Sequence, residues 1–213
     1  MSTIAKRLDA HFAACAAAAA GVAMVGGTKA ADAAIVWSGP INITIPSTTA
    51  GVYLNVATGV NNVNPASVPG WDVNPWSSTG LNMFAPTVGG GHVTTGAATV
   101  YDNMTAGTAI GPASTFGNTG TTTINAATPL NLNSSNNLVG FRFFREGDAA
   151  GTLHYGWMRI QLGSSAAAQP RAIVEYAYED QIGIAINAGQ VPAPGALALL
   201  GLAGVVGTRR RRN

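Results

Sequence analysis

Charge is scarce in this chain: Asp, Glu, Lys and Arg make up 9% of its 213 residues, against roughly 25% in an average soluble protein. So little charge cannot dress the solvent faces of long amphipathic helices. Abundant Gly, Asn, Thr and Ser instead suit short strands joined by many turns. Cysteine is almost missing. The single Cys15 lies near the N-terminus, so no disulfide can form within the chain, and no cysteine-based metal site can either. No metal or cofactor is expected. H-E-x-x-H and G-x-S-x-G are absent, and the stretch GGGHVTTG around His92 lacks the Gly-Lys-Ser/Thr of a phosphate loop. No repeat at a period of about 20–50 residues is visible, which excludes a solenoid or propeller.

The basic charge that is present sits at the two ends. Lys6, Arg7 and Lys29 lie at one, and Arg209, Arg210, Arg211 and Arg212 at the other. Between Ile35 and Gln190 four basic side chains face seven acidic ones, a net charge of about −3. That balance argues against nucleic acid as a partner, since binding it demands a basic surface.

Residues 1–33 read as a secretory signal peptide. Lys6 and Arg7 form the positive start, Phe12 to Val25 the apolar helix, and Ala31-Asp32-Ala33 the small-x-small cleavage pattern, placing the cut after Ala33. Removal of this segment takes Cys15 with it, and the exported chain then holds together by packing alone. At the other end, Gly195 to Thr208 is an apolar run of 14 residues followed at once by four arginines. The run is shorter than the roughly 20 residues of a free-standing membrane helix. The arginines fix its far end at the cytoplasmic face, with Gln190 outside.

Pro-x-Pro, then a small-residue apolar helix, then a terminal arginine cluster resembles the PEP-CTERM sorting signal of exported bacterial proteins. The matching positions are Val191, Pro192, Ala193 and Pro194, the run Leu197 to Leu202, and Arg209 to Arg212. Ala193 stands where that family carries Glu. The resemblance implies a membrane-embedded processing partner of the exosortase type and transient membrane insertion through the C-terminal helix. It also implies final placement at the cell surface or in the extracellular polysaccharide. The body is similar to that of many secreted members of the same group, through GTLHYGWMR, VEYAYED and AGQVPAP. Most of those proteins have no assigned activity, so this likeness speaks for the fold and the export route.

The segment 34–190 carries strand-like pieces and no sustained helical period. Ile41–Ile45, Gly51–Val56, Leu81–Phe84, His92–Asp102 and Thr121–Asn125 are the early ones. The stretch 137–144 places Val139, Phe141 and Phe143 on one face. His154–Leu162 then sets His154, Gly156, Met158, Ile160 and Leu162 on one side and Tyr155, Trp157, Arg159 and Gln161 on the other, and Ala172–Tyr178 follows. These predict an all-β domain, an antiparallel β-sandwich of jelly-roll type, between an N-terminal signal helix and a C-terminal sorting helix.

One stretch reads as a binding site. Trp71-Asp72-Val73-Asn74-Pro75-Trp76 sets two indoles around a carboxylate and an amide. Such a set could stack on a sugar ring and hydrogen-bond its hydroxyls. Glu175, with Glu179 or Asp180, is the carboxylate pair to weigh for glycoside hydrolysis, and a charged strand face explains it at less expense. No catalytic residue is assigned. The expectation is an exported structural or interaction protein associated with polysaccharide, with a carbohydrate-binding module as the alternative and a glycan-active enzyme third.

Overall fold

The structure, a computed structural model, describes residues 34–94, 99–117 and 121–192. The signal segment and the sorting tail from Ala193 onward, including Pro194 and Arg209 to Arg212, lie outside the described residues. Val191 and Pro192 lie within them.

The described chain is almost entirely β. Its strands are β1 (Ile35–Trp37), β2 (Ile43–Thr44), β3 (Tyr53–Leu54), β4 (Asn61–Asn62), β5 (Asn74–Trp76), β6 (Asn82–Phe84), β7 (Gly91–Val93) and β8 (Val100–Tyr101). They continue with β9 (Ala109–Ile110), β10 (Phe116–Gly117), β11 (Thr121–Ile124), β12 (Ser134–Phe143), β13 (His154–Leu162), β14 (Ala172–Glu179) and β15 (Ile186–Asn187). A 3-10 turn at Pro65–Ser67 is the only helical element among the described residues. A seven-stranded sheet runs β1-β14-β13-β12-β7-β10, with β2 also on β14, and every pairing in it is antiparallel. A second sheet runs β5-β6-β11-β8 and is antiparallel except where β11 meets β8. The chain from His92 to Asp102 is thus two strands in two sheets rather than one long strand, tied by a bridge between Thr94 and Tyr101.

Period-2 alternation explains the long meander of β12, β13 and β14. Val139, Phe141 and Phe143 of β12 face the main core with Met158, Ile160 and Leu162 of β13, where they meet Leu81, Met83 and Tyr101. Phe141 lies directly across from Gly156. A Cβ on Gly156 would stand 2.5 Å from the Phe141 ring and 2.7 Å from the Ala177 carbonyl oxygen, so only glycine lets that ring lie over the neighbouring strand.

The other face of β13 is covered as well at its start. Tyr155 and Trp157 are buried there in a second apolar cluster with Leu138, Ile110, Ile186 and Ala188. The cover is the antiparallel pair β9–β15, and the Trp157 indole N–H donates to the Gln190 carbonyl at 2.9 Å. Arg159 and Gln161, further along, stay half-exposed. β13 is therefore a central strand buried on both faces over its first half.

Candidate functional site

The second sheet has one face in the core and one outside. Met83 of β6 lies against Pro75 and Thr122 in register and is fully buried. The alternate register positions hold Asn74 with Phe84, and Trp76 with Asn82. Strand alternation therefore places these four on the opposite face from Met83. Tyr53 and Trp71 join this face. Tyr53 meets Trp71 edge-on with ring centroids 5.0 Å apart, and Trp71 meets Phe84 at 5.2 Å. Tyr53, Trp71, Trp76 and Phe84 are all half-buried. A groove of about 190 Å³ runs between Thr49, Tyr53, Asn74, Trp76 and Phe84.

The four residues singled out in the sequence divide between two places. Trp76 and Asn74 line the groove. Trp71 and Asp72 line a separate cavity of about 160 Å³ with Gly70, Phe143 and Glu146. A bulge separates them: the N–H groups of Asp72 and Val73 both donate to the Leu54 carbonyl, at 2.9 and 3.3 Å. Asn74 does not offer its amide nitrogen to a ligand, because that nitrogen donates to the carbonyls of Ala50 and Val52, each at 2.9 Å. Asp72 is 3% exposed, and one of its oxygens accepts from the Val56 N–H at 2.7 Å. Burial pushes its carboxyl up to about 8; the Val56 bond opposes the shift and the charge of Glu146 adds to it. The indole N–H of Trp76 is buried with no partner among the described residues.

Tyr53, Phe84 and Thr49 were not found from the sequence. The alternation of Gly51–Val56 was legible, and it put Tyr53 outside while Val52, Leu54 and Val56 went in. What joins Tyr53 to Trp71 is a pairing across 18 residues, for which the strand pattern alone carries no signal.

The remaining polar residues are engaged elsewhere. Glu175 accepts from Arg159 at 2.6 Å and from the Trp37 indole at 2.9 Å. Glu179 is buried and accepts from the Gln181 N–H at 3.1 Å. These two glutamates stand four residues apart on one strand, about 13 Å at the usual strand rise, beyond the roughly 5–9.5 Å that paired glycosidase carboxyls span. Asp180 pairs with Arg145, which also holds Asp148. His154 is fully buried, with Nδ1 2.9 Å from the Glu179 carbonyl and Nε2 2.7 Å from Asp148. It anchors the β12–β13 connection to the end of β14. Among the described residues no group of three or more His, Cys, Asp or Glu side chains is placed to hold a metal ion.

Comparison of the chain with protein-family models, with curated proteins and with solved structures finds no match.

Proposed function

We propose that this is an exported protein that binds extracellular polysaccharide on the aromatic face of its second sheet. In this reading the two sheets form a sandwich of jelly-roll type, and the tail delivers the body to the cell surface. The observation that carries the reading is the row of half-buried rings, Tyr53, Trp71, Phe84 and Trp76, beside an open groove. Rings fixed by packing present flat apolar area at little entropic cost, and the C–H faces of sugar rings are the natural complement. The near absence of charge around the groove favours neutral glycans.

The ends support export. Lys6 and Arg7, the alanine-rich apolar run after them and Ala31-Asp32-Ala33 suit secretion, and an exosortase-type enzyme would act near Pro192-Ala193-Pro194. Val191 is 40% exposed, which suits access by a processing enzyme. A chain so processed begins at Ala34 and has lost Leu197 to Asn213.

The test is affinity electrophoresis of the protein in gels cast with neutral and acidic polysaccharides. Retardation by a neutral polymer is expected, and Trp76→Ala should weaken it about tenfold, the worth of one stacking ring at about 1.4 kcal/mol. Unchanged mobility in every gel means that the body is a structural protein without a glycan site.

A further inference from the structure

We propose that a second cavity, distant in sequence from the aromatic groove, binds a single neutral sugar or polyol unit. It encloses about 340 Å³, at the small end of the roughly 300–1,000 Å³ typical of ligand pockets. The end of β7, the segment after β8, and the turn between β9 and β10 build it. It shares no lining residue with the groove beside Trp76.

Its chemistry is specific. Thr94 is 3% exposed, lines the cavity, and its hydroxyl has no hydrogen-bond partner among the described residues. A buried hydroxyl left in that state costs about 1–3 kcal/mol, so the fold carries a penalty that a bound donor or acceptor removes. Asp102, 4% exposed, lines the same space. The Asn125 amide at 2.5 Å and the Thr128 hydroxyl both donate to its Oδ1. Those bonds fix the carboxylate's orientation, and a carboxylate has about four acceptor positions. Thr115 adds a hydroxyl, while that of Ser114 is held by the Gly111 N–H and the Ala109 carbonyl, and Val93 and Met104 supply an apolar wall.

The lining decides among ligand classes. Among the described residues its lining includes no Lys, Arg or His, so nothing there offsets the charge of a phosphate or carboxylate taken out of water, and anions are disfavoured. An apolar ligand would leave the Thr94 hydroxyl unsatisfied. One carboxylate does not hold a metal ion. A neutral polyhydroxylated ring meets every group: its hydroxyls donate to Asp102 and bond Thr94, and its C–H face lies on Val93 and Met104.

The experiment is a saturation-transfer and calorimetric titration of the full chain with methyl glycosides of glucose, galactose, mannose, rhamnose and N-acetylglucosamine. Glucuronate is the anionic control, and the matching disaccharides separate a free sugar from a chain end. At least one neutral glycoside should bind with a dissociation constant on the order of 1 mM or lower, and glucuronate about tenfold more weakly or not at all. Thr94→Val should weaken binding about tenfold while leaving the ligand-free melting point unchanged or higher, because it deletes an unpartnered hydroxyl. Trp76→Ala, which removes the groove, should leave this binding within about twofold, so failure of either site is read independently. Absence of millimolar binding by every neutral glycoside overturns the proposal. So does a Thr94→Val protein that binds like the parent, or one that melts lower without ligand.

Discussion

Asp72→Asn should make the protein markedly more stable at pH 8. The Asp72 carboxyl has its pKa raised from 3.8 to about 8, chiefly by burial. A raised acid is stabilising, relative to its unfolded form, only while both states are protonated. Above pH 3.8 the unfolded chain ionises and the folded one does not, so stability falls by about 1.4 kcal/mol per pH unit until about pH 8. His92 works in the opposite direction. It is fully buried with both ring nitrogens unpartnered among the described residues, and burial lowers its pKa from 6.5 to about 3. The folded state keeps the imidazole neutral while the unfolded chain protonates below pH 6.5, so His92 makes stability rise with pH between about 3 and 6.5. Between about pH 4 and 6.5 the two slopes cancel. The parent protein should therefore show a plateau there and lose roughly 2 kcal/mol between pH 6.5 and 8, about 4–8 °C in melting point. Asp72→Asn keeps an oxygen for the Val56 N–H and removes the fall, so its melting point should climb from pH 4 to 6.5 and stay high. His92→Phe should leave the alkaline fall intact and make stability drop steadily from pH 4 upward. Thermal melts across pH 3–9 check this, and a parent profile flat from pH 6.5 to 8 would sink it.

The same two residues show what was legible in the sequence. His92 stood out only through its glycines, and nothing in GGGHVTTG announces a core position. Its neighbour across the sheet, Phe141, lies 49 residues away. Asp72 was found, but as a partner for sugar hydroxyls, because a sequence cannot show the bulge that turns it inward beside Glu146. The strands themselves were read well where they are long. His154–Leu162 has the expected bounds, and β14 runs one residue past them, because eight or nine alternating residues leave little choice of period. Strands of two residues have no period at all. That is why the cover of Trp157 by Ala109–Ile110 and Ile186–Asn187 escaped notice, and with it the burial of the strand's second face. The indoles of Trp71 and Trp76 were legible by residue type. Their companions Tyr53 and Phe84 depended on which strands lie side by side, and pattern alone does not fix that.

Replacing Arg171 should cost more than any other single change to a charged residue here. In the sequence it is one cation before a strand. In the fold it is 1% exposed, and all five acceptors of its guanidinium are backbone carbonyls, those of Ile45, Pro46, Ser77, Gly80 and Ala166. The planar five-donor fork of a guanidinium can serve that many acceptors, and an ammonium with three donors cannot. Burial lowers its pKa, yet arginine stays charged at any working pH. A buried ion pair can often be exchanged for apolar side chains without loss, because both charges leave together. That exchange is closed here, since the acceptors are main-chain groups that no substitution removes. Arg171→Met would strand four of them, since the Ile45 carbonyl keeps the Gln169 amide at 2.9 Å, at a cost of about 3–5 kcal/mol and roughly 6–20 °C in melting point. Arg171→Lys should fall between the parent and Met. The damage should also reach the aromatic face, because Ser77 and Gly80 form the turn between β5 and β6. Ser77 sits there at φ +114°, a conformation costing about 1–3 kcal/mol that persists only while its surroundings enforce it. The Ser77 N–H donates to Thr48 at 3.1 Å and its carbonyl accepts from Arg171 at 3.1 Å. Releasing that clamp frees the turn that carries Trp76, so near-ultraviolet circular dichroism from tryptophan should weaken even at temperatures where Arg171→Met remains folded. A variant within about 1 kcal/mol of the parent, with its tryptophan signal intact, would show that the carbonyls find water instead and that Arg171 is not the clamp.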